Sequence, residues 1–539
     1  MTDSSHQRTV YGEFQRACTR WGDRPFLRST SSAMAVYGDC AVEYTYASAQ
    51  RTVERLRASY HELGVRPGDR VALAFDSRLD VYLHLLALNA QGASLVPLNM
   101  GSTDSELRHI ILHSKSRWTS GAPEHSERLQ KLVKTEPRIR YFELRTPNAP
   151  DPIEPGYGDE NTEAALLYTS GTTGSPKGCI LSNDYFVTMG EEYNRLGGLC
   201  SVGFEDRLLT PLPPNHMNAL ATSFMAMLLC GGCVIQADRF HPRTWWQTVR
   251  EERATIIHYL GVMPAILLKL PESQDDDFSG QVRFGFGAGS DPKHQGLFER
   301  RFGFPLIEAW AMTETGGAGI VVANHEPRHV GQRCIGRPPS HVAFRIVDKN
   351  EQDVAPNQPG ELLVRRRGEE PRKGFFSGYF RDAEATRDGW RGGWWHTGDI
   401  VRQGPDGSLF FVDRRKNVIR RSGENISAVE VEAALLQLES VENCAVTSAP
   451  DEIRGDEVFA FVVPVDETRV SAHDARDLFD QTLRTLTYYK APGYIVFVER
   501  LPLTSSQKIN RGEIKQMANR ALLADTPFDL RQFKTRGAS

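Results

Sequence analysis

The 539-residue chain lacks long apolar runs, a disulfide framework, a strong charge of either sign and internal repeats. Its longest apolar stretch, residues 224–235, is broken by Gly231 and Gly232. That is far short of the roughly 20 residues a spanning helix needs, so no membrane insertion is expected. Eight cysteines are scattered along the whole length, a usage that points to a reducing cytosol rather than an oxidising compartment. Lys and Arg number 64 against 68 Asp and Glu, a net charge of −4. No basic field is available, which excludes nucleic acid as a main partner. The opening MTDSSHQRTVYGEF carries no basic segment followed by an apolar one, so no secretory signal is expected and the protein reads as cytoplasmic.

What is present is the composition of a folded protein, 40% apolar and 24% charged, in a chain long enough for roughly two to four domains. Strand and helix patterns alternate: strand at 71–75, helix at 81–90, strand at 94–98, helix at 104–114 capped by Thr103 or Asp104. Repeated units of this kind imply parallel sheets covered by helices on both faces. The texture changes near Val401. Asp406-Gly407 predicts a hairpin turn before a strand at 408–412. A smaller α+β pattern follows, with helix 428–438, strands 441–446 and 458–465, and helix 473–486. A boundary near 413–416 divides the chain into residues 1–413 and 414–539.

The strongest local signal is YTSGTTGSPKG at 168–178, between strands predicted at 164–167 and 179–181. Gly171 and Gly174 permit tight turns and expose backbone N–H groups. The hydroxyls of Thr169, Ser170, Thr172 and Thr173 add donors, and Lys177 adds a positive charge. Such a loop can wrap polyphosphate oxygens. A Walker A loop would need Gly before the Lys and Ser or Thr after it; here Pro176 precedes Lys177 and Gly178 follows. A polar surface loop is the bland alternative, and so many donors beside one lysine argue against it.

This segment resembles the signature loop of the adenylate-forming superfamily, which comprises acyl-CoA synthetases, peptide-synthetase adenylation domains and luciferases. Four more blocks match in the same order: WAMTET (310–315), WHTGD (395–399), FVDRRKNVIRRSGENI (411–426) and LPLTSSQKINR (501–511). The likeness runs from about Tyr44 to Lys515. It implies an α/β fold with a large N-terminal domain of parallel-sheet subdomains, a small barrel-like β part, and a small mobile α+β C-terminal domain. It also implies ATP and coenzyme A as co-substrates, with Mg²⁺ as cofactor.

Each block implies roles. Glu314 offers a hard oxygen to Mg²⁺, and Thr313 a hydrogen bond to the α-phosphate. Gly287, Ala288 and Gly289 let the backbone approach adenine, with Trp310 stacking on it and Met312 alongside. Asp399 has two acceptor oxygens for the ribose hydroxyls, and Arg414 reaches the ribose too. Lys508 is the catalytic cation of the first half-reaction, placed between two approaching anions; Gln507 stands before it where the superfamily usually has Gly. Lys416 occupies the hinge. Gly423, Glu424 and Asn425 would line the path of the pantetheine arm.

His216, in PPNHMNA (213–219), stands where acyl-CoA ligases commonly place a histidine beside the carboxylate, and no aspartate for an α-amino group is seen nearby. A buried structural histidine is the competing reading. Tyr259, Gly261, Val262 and Phe286 are expected to wall the acyl pocket, apolar enough for a short or medium acid. The nearest subgroup resembles crotonobetaine/carnitine-CoA ligases, which share FVDR and GEN-x-S. The resulting expectation is adenylation of a small carboxylic acid followed by transfer to coenzyme A. Transfer to a carrier-protein pantetheine, or a non-catalytic adenylate-binding homologue, are the alternatives, and a homodimer is left open. Two decoys are set aside. HEPRH (325–329) matches a zinc pattern that works only on a helix, which Pro327 breaks. Cys230 and Cys233 form a lone CxxC inside an apolar run, as expected of packing.

Overall fold

The computed structural model describes residues 8–38, 42–143, 158–169, 176–414, 418–421, 424–451, 454–504 and 509–534. The chain forms two compact units. The first comprises Met1–Phe344, Leu363–His396 and Asp406–Leu409; the second comprises Arg345–Leu362, Thr397–Pro405 and Phe410–Ser539.

Alternating strands and helices in the first unit produce two large sheets. In one, the strands Leu306–Trp310, Phe284–Ala288, Ile256–Leu260, Arg207–Thr210, Cys233–Gln236 and Pro25–Ser29 lie side by side and parallel. Antiparallel strands Val321–Val322 and Glu43–Thr45 close its edges. In the other, Glu163–Thr169, Ser94–Pro97, Arg70–Ala74, Trp118–Gly121 and Arg140–Tyr141 are parallel. Lys177–Ser182 and Gly378–Tyr379 extend that sheet antiparallel. Parallel strands must be covered on both faces, and the helices do this. The helix Asp80–Ala90 is buried from Val81 to Ala90 and reaches both sheets: it packs against Ser94–Pro97, and the Tyr82 hydroxyl donates to Gln236 Oε1 at 2.7 Å. A helix hydrophobic all round belongs in such an interior. The helix Asp104–His113 starts at Thr103, whose hydroxyl and Glu106 form a capping box.

The second unit carries a sheet ordered Glu424–Ser427, Val418–Arg421, Gly455–Pro464, Tyr494–Phe497, Phe528–Asp529, with Val441–Asp451 also paired to Gly455–Pro464. Helices Ala428–Leu435 and Ala472–Thr482 lie against it through a shared apolar cluster. Both helices are shorter than their apolar spacing predicts. Leu438 and Leu486 still pack against the same core, but from turns beyond the helix ends, so the pattern outlasts the helix. Asp413 is fully buried: Oδ2 accepts from Ser427 Oγ at 2.8 Å and from the Val429 N–H at 3.2 Å. It ties the end of Leu409–Arg414 to the start of helix Ala428–Leu435.

Candidate active site

Several of the expected phosphate-site residues converge in the first unit. Thr169 ends one strand and Lys177 begins its antiparallel neighbour, and the two are register partners. Ser170, Gly171, Thr172, Thr173 and Gly174 lie outside the described residues. The Lys177 ammonium pairs with Asp382 at 3.0 Å and lies 5.1 Å from the centre of the Tyr379 ring. On the same tyrosine, the hydroxyl donates to Glu314 Oε1 at 2.6 Å. A single aromatic ring thus separates the loop's cation from the expected metal-binding carboxylate. Burial, then the Glu314 charge, hold the Tyr379 hydroxyl far above its usual pKa, so it stays a donor. Tyr379 and Asp382 were not foreseen. Nothing in GYFRD separates them from ordinary strand and cap residues.

Thr313 and Glu314 sit in a turn after the strand Leu306–Trp310. The Met312 N–H donates to Thr315 Oγ1 at 3.0 Å and the Thr315 N–H returns to the Met312 carbonyl at 3.1 Å. Trp310 is buried at the strand end. Two positions before it, Glu308 supports the glycine loop: its carboxylate accepts from the N–H groups of Gly289 (2.8 Å) and Ser290 (3.1 Å) and from the Tyr259 hydroxyl (2.8 Å). Burial raises its pKa even against those donors. A lone carboxylate within LIEAW was the available signal. Glycine is required here by close approach: a Cβ on Gly261 would lie 1.8 Å from the Gly289 carbonyl oxygen, and Gly289 itself has φ +80°.

The residues expected to wall the acyl pocket divide between two faces of one sheet. Tyr259 points into the cluster of Trp246, Phe298 and Phe302 on the outer helices. Phe286 points the other way, its ring 4.7 Å from Tyr193 and 5.3 Å from His258. Val262 is 52% exposed. His258, which pairs in register with Phe286, is fully buried with both ring nitrogens engaged. Nε2 meets the Tyr193 hydroxyl at 3.0 Å; Nδ1 meets Ser223 Oγ at 2.8 Å and Asn218 Oδ1 at 3.0 Å. Burial pushes its pKa down to about 3, so the ring is neutral. Asn218 and Ser223 are the two ends of a π-helix, Asn218–Ser223, a wide turn often found at functional sites. Half-buried His216 lies two residues before it, and its carbonyl accepts from the Leu220 N–H at 3.0 Å.

In the second unit, Asp399 is buried and pairs with Arg414 at 3.0 Å, Arg414 being half-exposed. Glu424 and Asn425 lie on the strand Glu424–Ser427, opposite Arg421 and Arg420. Lys416, Gly423 and Lys508 lie outside the described residues. The flanks of the Lys508 segment are held together: Leu503 and Ile509 form an antiparallel bridge, and the Asn510 N–H donates to the Pro502 carbonyl at 2.9 Å. Arg511 then grips buried Glu432 with two nitrogens.

The decoys stay inert. Residues 325–329 form no helix, and His329 pairs with Asp406 at 2.9 Å. The Cys230 and Cys233 thiols are free and pushed up to about 12 by burial, which leaves them protonated. Among the described residues, no helix is long and apolar enough to cross a membrane.

A family model described as AMP-binding enzyme matches residues 14–380, and the AMP-binding enzyme C-terminal domain matches 430–508. The chain is 31% identical to a sulfoacetate–CoA ligase of Cupriavidus necator over 91% of its own length and 94% of the relative's. It is 27% identical to a crotonobetaine/carnitine–CoA ligase of Salmonella arizonae, over 92% and 98%. Its fold superposes with a TM-score of 0.80 on the o-succinylbenzoate CoA synthetase of Bacillus subtilis bound to an acyl-adenylate, at 24% identity over 93% and 97% of the two chains. With this fold and these matches across both units, the chain belongs to the family of AMP-binding, adenylate-forming enzymes.

Proposed function

We propose that this protein is an ATP-dependent acyl-CoA ligase. It activates a small or medium carboxylic acid as acyl-AMP with release of pyrophosphate. It then passes the acyl group to coenzyme A with release of AMP. The observation that carries this reading is the arrangement around Tyr379, which sets the Lys177 ammonium and the Glu314 carboxylate on either side of one ring. That pair offers a cation for phosphate oxygens and a hard oxygen for a divalent ion in one place.

The loop 169–174 and Lys177 bind the phosphates, Thr313 the α-phosphate, Gly287–Gly289 and Trp310 the adenine, and Asp399 with Arg414 the ribose. Glu314 fits Mg²⁺: one oxygen is fixed by Tyr379, and the other takes no hydrogen bond among the described residues. The ion, when bound, offsets phosphate charge. In the first half-reaction a carboxylate oxygen of the acid, beside His216, bonds to the α-phosphorus as the bond to pyrophosphate breaks. Lys508 stabilises the charge between the two anions. In the second, the thiol sulfur bonds to the acyl carbon, the carbon–oxygen bond of the mixed anhydride breaks, and the thiol proton passes to solvent. Residues 414–539 turn about Lys416 between the two steps and bring Gly423, Glu424 and Asn425 to the thiol path. The cytoplasm supplies all three substrates.

The test is acid-dependent ATP–pyrophosphate exchange over a panel of carboxylic acids, then thioester formation with coenzyme A followed by mass spectrometry. Lys508→Ala is expected to lose exchange while keeping nucleotide binding. Exchange without a coenzyme A thioester would move the acceptor to a carrier-protein pantetheine. No exchange with any acid would leave a non-catalytic adenylate binder.

A further inference from the structure

Lys534, 23 residues beyond Arg511, has a side chain with 0% exposure. Its ammonium donates to Glu457 Oε1 at 2.5 Å, and the Glu457 side chain is also 0% exposed. The other oxygen of Glu457 accepts from Arg421 Nε at 2.8 Å, with that arginine side chain 5% exposed. Two cations therefore share one carboxylate inside the second unit. Sealing an ammonium from water costs several kcal/mol unless it is paired in good geometry, so a stray surface lysine does not end up here. Lys534 falls outside both family matches, and Arg421 falls between them.

The segment that carries Lys534 is anchored at every step. Phe528–Asp529 pairs antiparallel with Tyr494–Phe497. The Leu530 N–H donates to the Gly493 carbonyl at 2.9 Å. Leu530 and Phe533 pack into the core that includes Ile419 and Ile426. Gly493 leaves the room that Glu457 occupies, since a Cβ there would come within 2.5 Å of its carboxyl carbon. At the far end of the triplet, Arg421 closes the strand Val418–Arg421, pairs with Glu424 across the hairpin and with Gly455 of the next strand. Arg421 and Glu424 are the register partners at one end of this strand pair.

We propose that residues 528–534 brace the paired strands Val418–Arg421 and Glu424–Ser427, and that Lys534 and Glu457 are positioning residues for thioester formation, acting through Arg421 at the end of the first of these strands. This rests on the reading that Gly423 and its neighbours line the path of the thiol. The geometry explains why a tail so far from the lysine block is buried with a charge on it. Apolar residues alone would anchor the tail. The shared carboxylate also fixes the Arg421–Glu424 end of the strand pair in one place.

The experiment uses the intact chain and two variants, Lys534→Met and Arg421→Met. The second leaves the Lys534–Glu457 pair matched one to one, so the unit keeps a neutral buried pair even if the first variant folds poorly. In both, acid-dependent pyrophosphate exchange is expected to stay near the wild-type rate. Single-turnover consumption of acyl-AMP on adding coenzyme A is expected to fall about tenfold or more, the scale of ångström-level misplacement, with a raised KM for coenzyme A. Amides of residues 418–421 and 424–427 should lose protection in hydrogen–deuterium exchange. Equal loss of both half-reactions, or no loss in either, would overturn the proposal, as would unchanged protection of the hairpin. A wild-type enzyme that makes no coenzyme A thioester would instead sink the acceptor reading, and the protection measurement would still decide the brace.

Discussion

The two units each bury a polar network, and they do it in opposite ways. In the first, His258 is neutral and its hydrogen bonds run to uncharged groups, Tyr193, Ser223 and Asn218. In the second, Lys534, Glu457 and Arg421 are ion-paired, with one more cation than anion. A neutral network asks only that each donor meet an acceptor. A charged one must also repay the desolvation of its ions. The neutral network can therefore sit under a binding surface and set its shape. The charged one is suited to holding an element in one place, because no nearby alternative geometry satisfies it.

The sharpest way to break the comparison is His258→Leu. It removes the shared partner of three groups and leaves the buried Tyr193 hydroxyl and the part-buried Asn218 side-chain oxygen each with an unmade hydrogen bond. Each such group costs about 1–3 kcal/mol, so the first unit should lose about 2–5 kcal/mol in chemical denaturation. All eight tryptophans lie in the first unit, so their fluorescence follows that unit alone. The π-helix should relax with it. We expect KM for the acid to rise more than KM for ATP, and His258→Gln to recover part of the loss. Equal effects on both substrates would confine His258 to packing.

A weaker perturbation, pH, separates the networks without a mutation. The folded pKa of His258 is lowered to about 3 by burial, and that of His84 likewise. Between about 3 and the unfolded value near 6.5 the unfolded chain binds protons that the folded one refuses. Stability of the first unit therefore falls as pH falls through this window, by up to about 1.4 kcal/mol per pH unit for each histidine. Lys534 is lowered to about 8, by burial first and then against the pull of Glu457. Its unfolded form binds more protons between about 8 and 10.5. Its contribution therefore rises with pH there and is flat across the acid window. Denaturant melts from pH 4 to 9, read by tryptophan fluorescence, should show the acid slope. A flat fluorescence midpoint from pH 6.5 to 4 would contradict a neutral His258.

How much of this was legible beforehand follows from the range of each interaction. The capping box at Thr103, the turn at Asp406-Gly407 and the β-α alternation are local, and the sequence pattern carries them directly. The ordered blocks single out Lys177, Glu314 and Asp399 as candidates because each sits in a run of neighbours that belongs with it. Face and register are another matter. Tyr259 and Phe286 both look like pocket walls in sequence. Which face each takes depends on the pairing of His258 with Phe286, a contact between strands 28 positions apart. The π-helix leaves no periodic trace, since one extra residue in a turn hardly shifts apolar spacing. Lys534 is the extreme case: a lysine close to the end of a chain has no local feature that foretells burial.

The smallest expected effect tests whether pairing alone, without burial, matters. Lys177 and Asp382 meet at 3.0 Å, but their side chains are 28% and 36% exposed. Such a pair contributes less than about 1 kcal/mol, so Asp382→Asn should barely move the thermal midpoint. The asparagine keeps a side-chain oxygen for the Ala385 N–H it now caps at 3.0 Å, which removes helix fraying as an explanation. What changes is the competition for Lys177. With the carboxylate gone, the ammonium faces, among the described residues, the Tyr379 ring and whatever anion enters. KM for ATP is therefore expected to hold or to fall slightly. A rise of several-fold would mean that Asp382 holds Lys177 in its working position. The surface pair would then play, for Lys177, the part proposed for Glu457 toward Arg421.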